Sequence, residues 1–263
     1  MCYGCPKEGC PKEAAGKLQL CADQKSGCEI AVHAMNDIFN NDDCEGVLQI
    51  DAKNAFNSLN RSVMIHNIKI ICPTIATYVS YCYSRPARIY VLGGAEILSK
   101  EGTTQGDPIA MAVYALGITP LMSTINSSFL YTSHSSDSSN TTKQVAYPDD
   151  LTGAGKLKEL RQWWDLLVLH DPSIGYYVNE NKTWIIVKEK HLESAGIIFK
   201  DIGIKIIKEG SKHLGATIGT QIFKNNFVKQ KVEEWVAGIK VLSRIARVDP
   251  QSALCAFTHG NCF

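Results

Sequence analysis

The sequence predicts an α+β fold in which helices cover one face of an antiparallel sheet. Helical and strand-like hydrophobic patterns alternate along the middle of the chain, and one of the strand patterns ends at a tight turn at residues 148–150. The chain has 263 residues, of which 45% are hydrophobic and 20% are charged. This globular composition excludes collagen-like, coiled-coil and wholly disordered proteins.

Helices are predicted where apolar residues recur at intervals of three or four. They cover residues 28–39, 62–71, 107–118, 157–169 and 227–247. The third begins at Asp107-Pro108, because Asp is a favourable N-cap and Pro fits the first helical position. Residues 1–16 lack periodicity and are predicted to be an unstructured tail, and residues 132–142 are predicted to be a polar loop.

Strands are predicted from short apolar runs bounded by turn residues. They cover residues 47–50, 75–83, 88–92, 144–147, 184–187, 204–207 and 214–218. The segment Gly153-Ala-Gly-Lys156 resembles part of a phosphate-binding loop, but Leu157 replaces the Ser or Thr that should follow the lysine. We therefore expect it to be the loop that leads into the next helix.

No segment of the sequence has the pattern of a membrane span or a signal peptide. The longest apolar run, Ile109 to Ile118, is about half the length that a spanning helix needs. We therefore expect an intracellular protein of the nucleus or cytoplasm, neither secreted nor bound to membrane.

The net charge of +1 conceals an uneven distribution along the chain. Residues 182–247 contain 13 Lys or Arg and 6 Asp or Glu, so the rest of the chain is acidic. A basic segment behind an acidic one is compatible with a surface for a nucleic-acid backbone beside a metal site. A solvated helix face would give the same charge pattern.

The ten cysteines are irregularly spaced, which argues against a disulfide framework in a chain without a signal peptide. Cys2, Cys5 and Cys10 have a spacing that can begin a zinc site. The fourth ligand would have to come from Cys21, Cys28 or His33. A zinc-binding interaction module is therefore one alternative for the chain.

Carboxylates follow two of the predicted strands directly. Asp51 ends one strand, and Asp149 and Asp150 occupy the tight turn after another. If these strands are neighbours, three carboxylates converge at one edge of the sheet. Such oxygen ligands suit Mg²⁺, which proteins hold with one or two carboxylates together with substrate phosphates and water. Two such ions support in-line phosphoryl transfer.

Five segments around and after these acids resemble conserved motifs of reverse transcriptases, most closely those of non-LTR (LINE-type) retroelements. The first three, which resemble motifs A, B and C, are Asp51-Ala-Lys-Asn-Ala-Phe-Asn-Ser-Leu-Asn-Arg61, Glu101-Gly-Thr-Thr-Gln-Gly-Asp-Pro108 and Tyr147-Pro-Asp-Asp150. Gly175-Tyr-Tyr-Val-Asn-Glu-Asn-Lys-Thr183 resembles motif D, and His213-Leu-Gly-Ala-Thr-Ile-Gly219 resembles motif E. Their order and gaps make the resemblance specific, and it extends over about residues 17–247.

The resemblance implies a right-hand polymerase with a palm, partial fingers and a truncated thumb. Fingers and palm would occupy residues 17–220, and the start of the thumb would occupy residues 221–263. Asp51 and Asp149 would hold two Mg²⁺ ions, for which Mn²⁺ could substitute, and Asp150 would complete the acidic set. The implied partners are an RNA template, a DNA primer and deoxynucleoside triphosphates, with the oligomeric state left open.

The resemblance also assigns roles to residues outside the acidic set. Phe56 matches a steric gate that selects deoxynucleotides, and Gln105 and Gly106 match a loop against the nucleotide and the template. Lys182 would steady or protonate the departing pyrophosphate. A further pair, Leu214 and Gly215, matches the primer grip.

Pro148 departs from the third motif, in which a small or apolar residue without the constraints of proline is usual. Proline fixes φ and has no N–H, so it can displace the neighbouring aspartates if the turn needs either property. The resemblance also places the chain's start inside the fingers and its end at the beginning of a thumb, as expected of a fragment or a decayed copy. The alternative to an active polymerase is therefore an inactive remnant that retains only nucleic-acid binding.

Overall fold

The protein is described by a computed structural model that covers residues 11–16, 19–21, 25–104, 106–132 and 142–260. The chain divides into two units, the first ending at Ile218 and the second beginning at Gly219. The predicted zinc ligands Cys2, Cys5 and Cys10, the predicted contact residue Gln105 and most of the predicted polar loop lie outside the described residues.

The first unit is built on a five-stranded sheet. The strands of the protein, in chain order, are β1 (Gly46–Ile50), β2 (Ala87–Tyr90), β3 (Glu96–Ser99), β4 (Lys143–Tyr147), β5 (Asp150–Gly155), β6 (Trp184–Val187), β7 (Lys205–Ile207), β8 (Gly210–His213) and β9 (Ala216–Gly219). The sheet has the order β4-β5-β1-β6-β7, in which only the β6–β7 pair is parallel. β2–β3 and β8–β9 form separate two-stranded sheets. The antiparallel-rich α+β class predicted from the sequence is confirmed.

Helices make up most of the remaining described structure. They are α1 (Pro11–Ala15), α2 (Gly27–Asn40), α3 (Ala55–Ser58), α4 (Arg61–Ile71), α5 (Pro73–Tyr83), α6 (Ala110–Thr132), α7 (Leu157–Ile174), α8 (Leu192–Ile198), α9 (Gln221–Ile245) and α10 (Pro250–Cys255). None of the helices in the described part of the chain combines the length and apolar character that a membrane crossing requires.

Helices cover both faces of the main sheet, so the prediction of helices on one face is wrong. Leu48 and Ile50 of β1 belong to a large core that also contains residues of α4, α5, α6 and α7. Val47, which alternates with them, belongs to a second core with Met35 and Phe39 of α2. Four of the five residues of β1 are buried, and the half-buried Gln49 is its one polar residue, so the strand is largely apolar and covered on both faces.

Other local predictions are also wrong. Residues 73–83 form α5, although their aromatic and β-branched residues predicted a strand. Pro73 takes a position at the helix start, and the buried residues Ala76, Val79 and Tyr83 follow helical spacing, so packing overrides β propensity. The predicted unstructured tail is wrong for its last residues, since Pro11–Ala15 are helical and Ala15 is buried in the large core.

The outer edge of β4 is covered by a short segment from the start of the described chain. Gln19 forms a parallel bridge with Ala146, and the backbone N–H of Leu20 donates to the carbonyl of Ala146 at 3.0 Å. Leu20 packs into the core beneath α2. This segment thereby satisfies backbone groups of β4 that would otherwise form an open sheet edge.

The second unit consists of α9 and α10 followed by a short π-helical segment. Thr220 caps α9 by accepting from the N–H of Phe223, and Asp249 caps α10 by accepting from the N–H of Ser252. The assignment of this unit to a thumb stays a prediction.

Candidate functional site

The strand pairing brings the predicted acidic residues to one end of the main sheet. β1 pairs with β5 so that Ile50 lies opposite Leu151, and Asp51 therefore emerges beside Asp150. Tyr147 pairs with Asp150, which leaves Pro148 and Asp149 as the two central residues of the β4–β5 hairpin. The neighbouring strands on which the predicted convergence depends are thus present.

The three carboxylates repel each other electrostatically. Burial raises the pKa of Asp149, and the charge of Asp51 raises it further. Burial and the charges of Asp149 and Asp51 raise the pKa of Asp150 to about 6, against a hydrogen bond from Gln49 that lowers it. Half-buried carboxylates with raised pKa values favour a proton or a cation as a neutralising partner.

Asp51 is held by a segment that sequence reasoning did not assign to it. Asn179 Nδ2 donates to Asp51 Oδ2 at 3.1 Å, and the backbone N–H of Asn179 donates to the Asp51 carbonyl at 2.8 Å. The backbone N–H of Asp51 donates to Thr183 Oγ1 at 3.3 Å. Asn179 and Thr183 lie in the motif-D-like segment, so the signal that could have found them was present in the sequence.

The hairpin that carries Asp149 is anchored through its backbone carbonyls. The buried Tyr176 donates its hydroxyl to the Asp149 carbonyl at 3.2 Å. Gln19 Nε2 donates to the Pro148 carbonyl at 2.9 Å. These contacts hold the turn from two sides without using the carboxylates.

Pro148 restricts the geometry of this hairpin. Two-residue hairpins favour turns with a positive φ at the first central residue, and proline is confined to a φ of about −65°. Asp149 is not among the residues of positive φ, which are, apart from glycine, Ser26, Asn54 and Leu214 within the described chain. The turn is therefore built without the left-handed conformation that most two-residue hairpins use.

Phe56 lies in α3, directly after the strand that ends at Asp51. Its half-buried ring stacks on Tyr114 of α6 with a centroid separation of 4.7 Å and an interplanar angle of 30°. The Tyr114 ring is buried, and its hydroxyl has no hydrogen-bond partner among the described residues. The Phe56 ring therefore rests on a rigid aromatic support.

The loop before α6 packs closely against α3. The backbone N–H of Thr103 donates to the Phe56 carbonyl at 2.6 Å. Gly102 has a φ of +71°, and a Cβ there would lie 2.1 Å from the Phe56 carbonyl oxygen. Only glycine fits this close approach, and neither Gly102 nor its role was predicted.

Gly106 is exposed, with a φ of +93° and open space where a Cβ would lie. Asp107 accepts from the N–H of Ile109 at 3.0 Å and from the hydroxyl of Tyr83. Helix α6 begins at Ala110, two residues after Pro108, the predicted first helical position. The capping role expected of Asp107 is thus met in the turn that precedes α6.

Arg61 holds the loop before α6 with side-chain hydrogen bonds, a role that sequence reasoning did not identify. Its guanidinium donates to the Ser99 carbonyl, the Ser99 hydroxyl and the Gly102 carbonyl at 2.8, 2.9 and 2.8 Å. It also lies over the ring of Tyr83, 5.4 Å from the centroid. Because Arg61 is buried, these interactions compensate for the desolvation of its charge.

The remaining predicted site residues lie in two turns. Leu214 and Gly215 have φ values of 48° and 83°, which make the β8–β9 turn a type I′ hairpin. The carbonyl of Leu214 accepts from Cys28 Sγ at 3.1 Å. Lys182 is exposed in the turn after Asn179, to whose carbonyl its backbone N–H donates at 3.1 Å. The roles of these residues toward a primer or pyrophosphate stay predictions.

The described residues contain no group of three or more His, Cys, Asp or Glu side chains arranged to hold a metal ion. A cage made by the protein alone is therefore not formed at the acidic site. The donor chemistry does fit Mg²⁺ held by two carboxylates and completed by substrate phosphates and water. The mutual repulsion among the three aspartates supports such a fit.

No protein-family model and no curated protein matches the chain. It is similar in structure to apo telomerase from Candida tropicalis truncated from its C-terminal domain, with a TM-score of 0.54 and 14% identity over 78% of this chain and 40% of that chain. Telomerase from Candida albicans in complex with a TWJ fragment of telomeric RNA gives a TM-score of 0.54 and 12% identity over 80% and 35%.

Apo telomerase from Candida tropicalis gives a TM-score of 0.55 and 12% identity over 78% of this chain and 36% of that chain. At these identities the likeness shows a shared fold. The chain spans between 35% and 40% of the length of these three telomerases.

Proposed function

We propose that this chain comprises part of the fingers, the palm and the start of the thumb of an RNA-directed DNA polymerase from a non-LTR retroelement. It copies an RNA or DNA template into DNA from a primer by two-metal-ion nucleotidyl transfer. The observation that carries the proposal is the position of Asp51 beside the Asp149–Asp150 hairpin, within a fold shared with telomerases, which are related to reverse transcriptases. The RNA bound in the Candida albicans telomerase structure supports a nucleic-acid partner.

In this proposal Asp51 and Asp149 hold two Mg²⁺ ions, and Asp150 adds negative charge beside them. When bound, Mg²⁺ activates the primer 3′-hydroxyl and stabilises the charge on the leaving oxygen. The hydroxyl loses its proton to water, its oxygen forms a bond to the α-phosphorus as the bond from that phosphorus to the oxygen of the β-phosphate breaks, and pyrophosphate leaves. Lys182 supplies positive charge or a proton to that group.

The other residues of the site select and position the substrates. Phe56 excludes a ribose 2′-hydroxyl by volume. Its stacking on Tyr114 supports that role, because the ring must keep its position to exclude the hydroxyl. The motif-B-like loop, with Gln105 and Gly106, lies against the nucleotide and the template. The open space beside Gly106 leaves room for a ligand there. Leu214 and Gly215 hold the primer end.

Pro148 favours a second candidate function, an inactive remnant that binds nucleic acid without extending a primer. The hairpin turn forms without a positive φ, and a displacement of Asp149 by about 1 Å can lower a rate by about a hundredfold. Both candidates predict binding to primer–template that weakens steeply with salt.

Primer extension by the full chain on an RNA template with Mg²⁺ tests the proposal. The natural chain should extend the primer, Asp149→Asn should abolish extension, and Asp43→Asn, a change of an exposed carboxylate before β1, should have no effect. Extension only after Pro148→Ala would establish the remnant. No extension and no salt-dependent binding by either chain would refute both candidates.

A further inference from the structure

A glutamine on β1 contacts one of the site aspartates across the sheet. Gln49 pairs with Thr152, and Asp150 lies two residues away from Thr152 along β5. Gln49 and Asp150 are therefore diagonal neighbours on one face, which a long side chain can span. At this position the Gln49 side chain lowers the pKa of Asp150, as an amide N–H₂ group turned toward a carboxylate does.

The other end of the Gln49 amide contacts a buried histidine. His213 is the last residue of β8, with 1% of its surface exposed, and its Nδ1 lies 2.9 Å from Gln49 Oε1. Burial lowers the pKa of His213 to about 4, so the ring is neutral at pH 7. Because an amide oxygen can only accept, Nδ1 carries the proton and donates it. Nε2 has no hydrogen-bond partner among the described residues.

We infer that His213 is a positioning residue for Asp150, because it holds the Gln49 amide with its oxygen toward the imidazole and its N–H₂ group toward the carboxylate. This inference rests on the proposed function and adds a connection that the motifs do not specify. His213 directly precedes the Leu214–Gly215 turn, so the hairpin assigned to the primer end is joined to the acidic site through the Gln49 side chain.

The physical basis is the asymmetry of the amide group. Its two ends are nearly equal in size but opposite in hydrogen-bonding character, so an unrestrained glutamine can rotate by a half-turn. After such a rotation Oε1 would face the Asp150 carboxylate, and a charge-assisted hydrogen bond would be replaced by repulsion. A donor fixed at the position of Nδ1 prevents this rotation.

Four substitutions in the full chain separate this role from simple packing. His213→Phe keeps the ring volume without the donor, and Gln49→Leu removes the amide. An Asn side chain can present an N–H near the position of Nδ1, whereas Gln places it near that of Nε2. His213→Asn should therefore restore what His213→Phe loses, and His213→Gln should not. Ile218→Val, a change of a buried residue in the following strand β9, is the packing control.

The first measurement is the single-turnover extension rate with Mg²⁺. His213→Phe and Gln49→Leu should each lower this rate about tenfold, as expected for one charge-assisted hydrogen bond, with KM for the nucleotide changed less than about twofold. The double variant should be no slower than either single variant, because both remove the same connection. Independent, multiplying effects would overturn the inference.

The second measurement needs no activity. In NMR spectra of the natural chain, the Gln49 side-chain N–H₂ group should be protected from exchange, and the His213 nitrogens should show a proton on Nδ1. His213→Phe should abolish the amide protection while Ile218→Val retains it. If the natural chain extends no primer, the proposed polymerase fails, and this spectrum still decides the inference. Equal protection in His213→Phe would overturn it.

Discussion

The side-chain amide of Asn179 donates to the carboxylate of Asp51 at 3.1 Å, while the backbone N–H of Asn179 donates to the carbonyl of the same residue at 2.8 Å. Two bonds from one residue restrict both the backbone and the side chain of Asp51. One carboxylate oxygen is engaged in this way, and in the proposed function the other oxygen would bind the cation. The motif-D-like segment therefore bears directly on the acidic site.

We predict that Asn179→Ala lowers the extension rate about tenfold and raises the Mg²⁺ concentration needed for half-maximal rate. The carboxylate of Asp51 would lose the donor that orients it. Asn181→Ala, an exposed change in the same turn, is the matched control and should leave both quantities unaltered. Equal rates for the two variants would show that Asp51 does not need this donor.

We predict that Gly102→Ala lowers the free energy of unfolding by more than about 2 kcal/mol. The new methyl group would lie 2.1 Å from the Phe56 carbonyl oxygen at a φ of +71°, so the loop or α3 must move. Gly93 has a φ of +103°, and a Cβ there would have no atom within 4 Å. Gly93→Ala should therefore lower the free energy of unfolding only by the backbone strain of a positive φ. Urea unfolding of both variants measures the difference, and equal midpoints would contradict the close approach.

The stacking of Phe56 on Tyr114 leads to a prediction about sugar selection. Phe56→Ala should raise incorporation of ribonucleotides relative to deoxynucleotides at least about tenfold, since the ring no longer occupies the space of the 2′-hydroxyl. Tyr114→Phe keeps the ring and removes only the hydroxyl, so selectivity should stay unchanged. Competition between the two nucleotide types in primer extension measures this. An unchanged ratio in Phe56→Ala would remove the gate assignment.

Asp171 lies outside the acidic site, and its buried carboxyl group should make the stability of the fold depend on pH. Its carboxylate, in a residue 5% exposed, accepts from the N–H of Val178 at 3.4 Å, and burial raises its pKa to about 6. In the unfolded chain the pKa of Asp is about 3.9. The protonated carboxyl group of Asp171 therefore stabilises the fold fully below that pH, and this stabilisation is lost as the pH rises through about 6. The free energy of unfolding of Asp171→Asn should therefore rise relative to that of the natural chain, by about 1–2 kcal/mol as the pH increases from 4 to 7. Chemical denaturation at several pH values measures this, and a pH-independent difference would contradict the assignment.

The elements nearest the acidic site could be predicted from the sequence because their signals are local. An apolar strand ending on Asp51 and a turn at residues 148–150 need no information from distant residues. Gly153 shows where such reasoning fails. The segment that contains it was expected to be a loop, yet it is strand β5, in which a Cβ at Gly153 would lie 3.0 Å from the ring of Trp163. The glycine makes room for an indole on α7, and that contact is not visible in the local pattern.

Contacts between distant segments account for the other failures. α2 was predicted as a helix, but the face of the sheet that it covers follows from tertiary packing with Val47 and Ile186. The partners of Asp51 and Asp150 lie far along the chain in Asn179 and His213, the latter through Gln49. Motif reasoning identified the segments that contain these partners, while hydrogen-bond geometry was needed to identify their contacts.

The segment at Gln19 and Leu20 anchors the hairpin that carries Asp149 and Asp150. A shortened protein that began after this segment would lose the bond from Gln19 to the Pro148 carbonyl and the strand-like cover of β4 together. The exposed strand would then be free to pair with another chain at the point where Asp149 must be held still. Removal of this region would thus couple self-association of the protein to a less constrained Asp149–Asp150 hairpin.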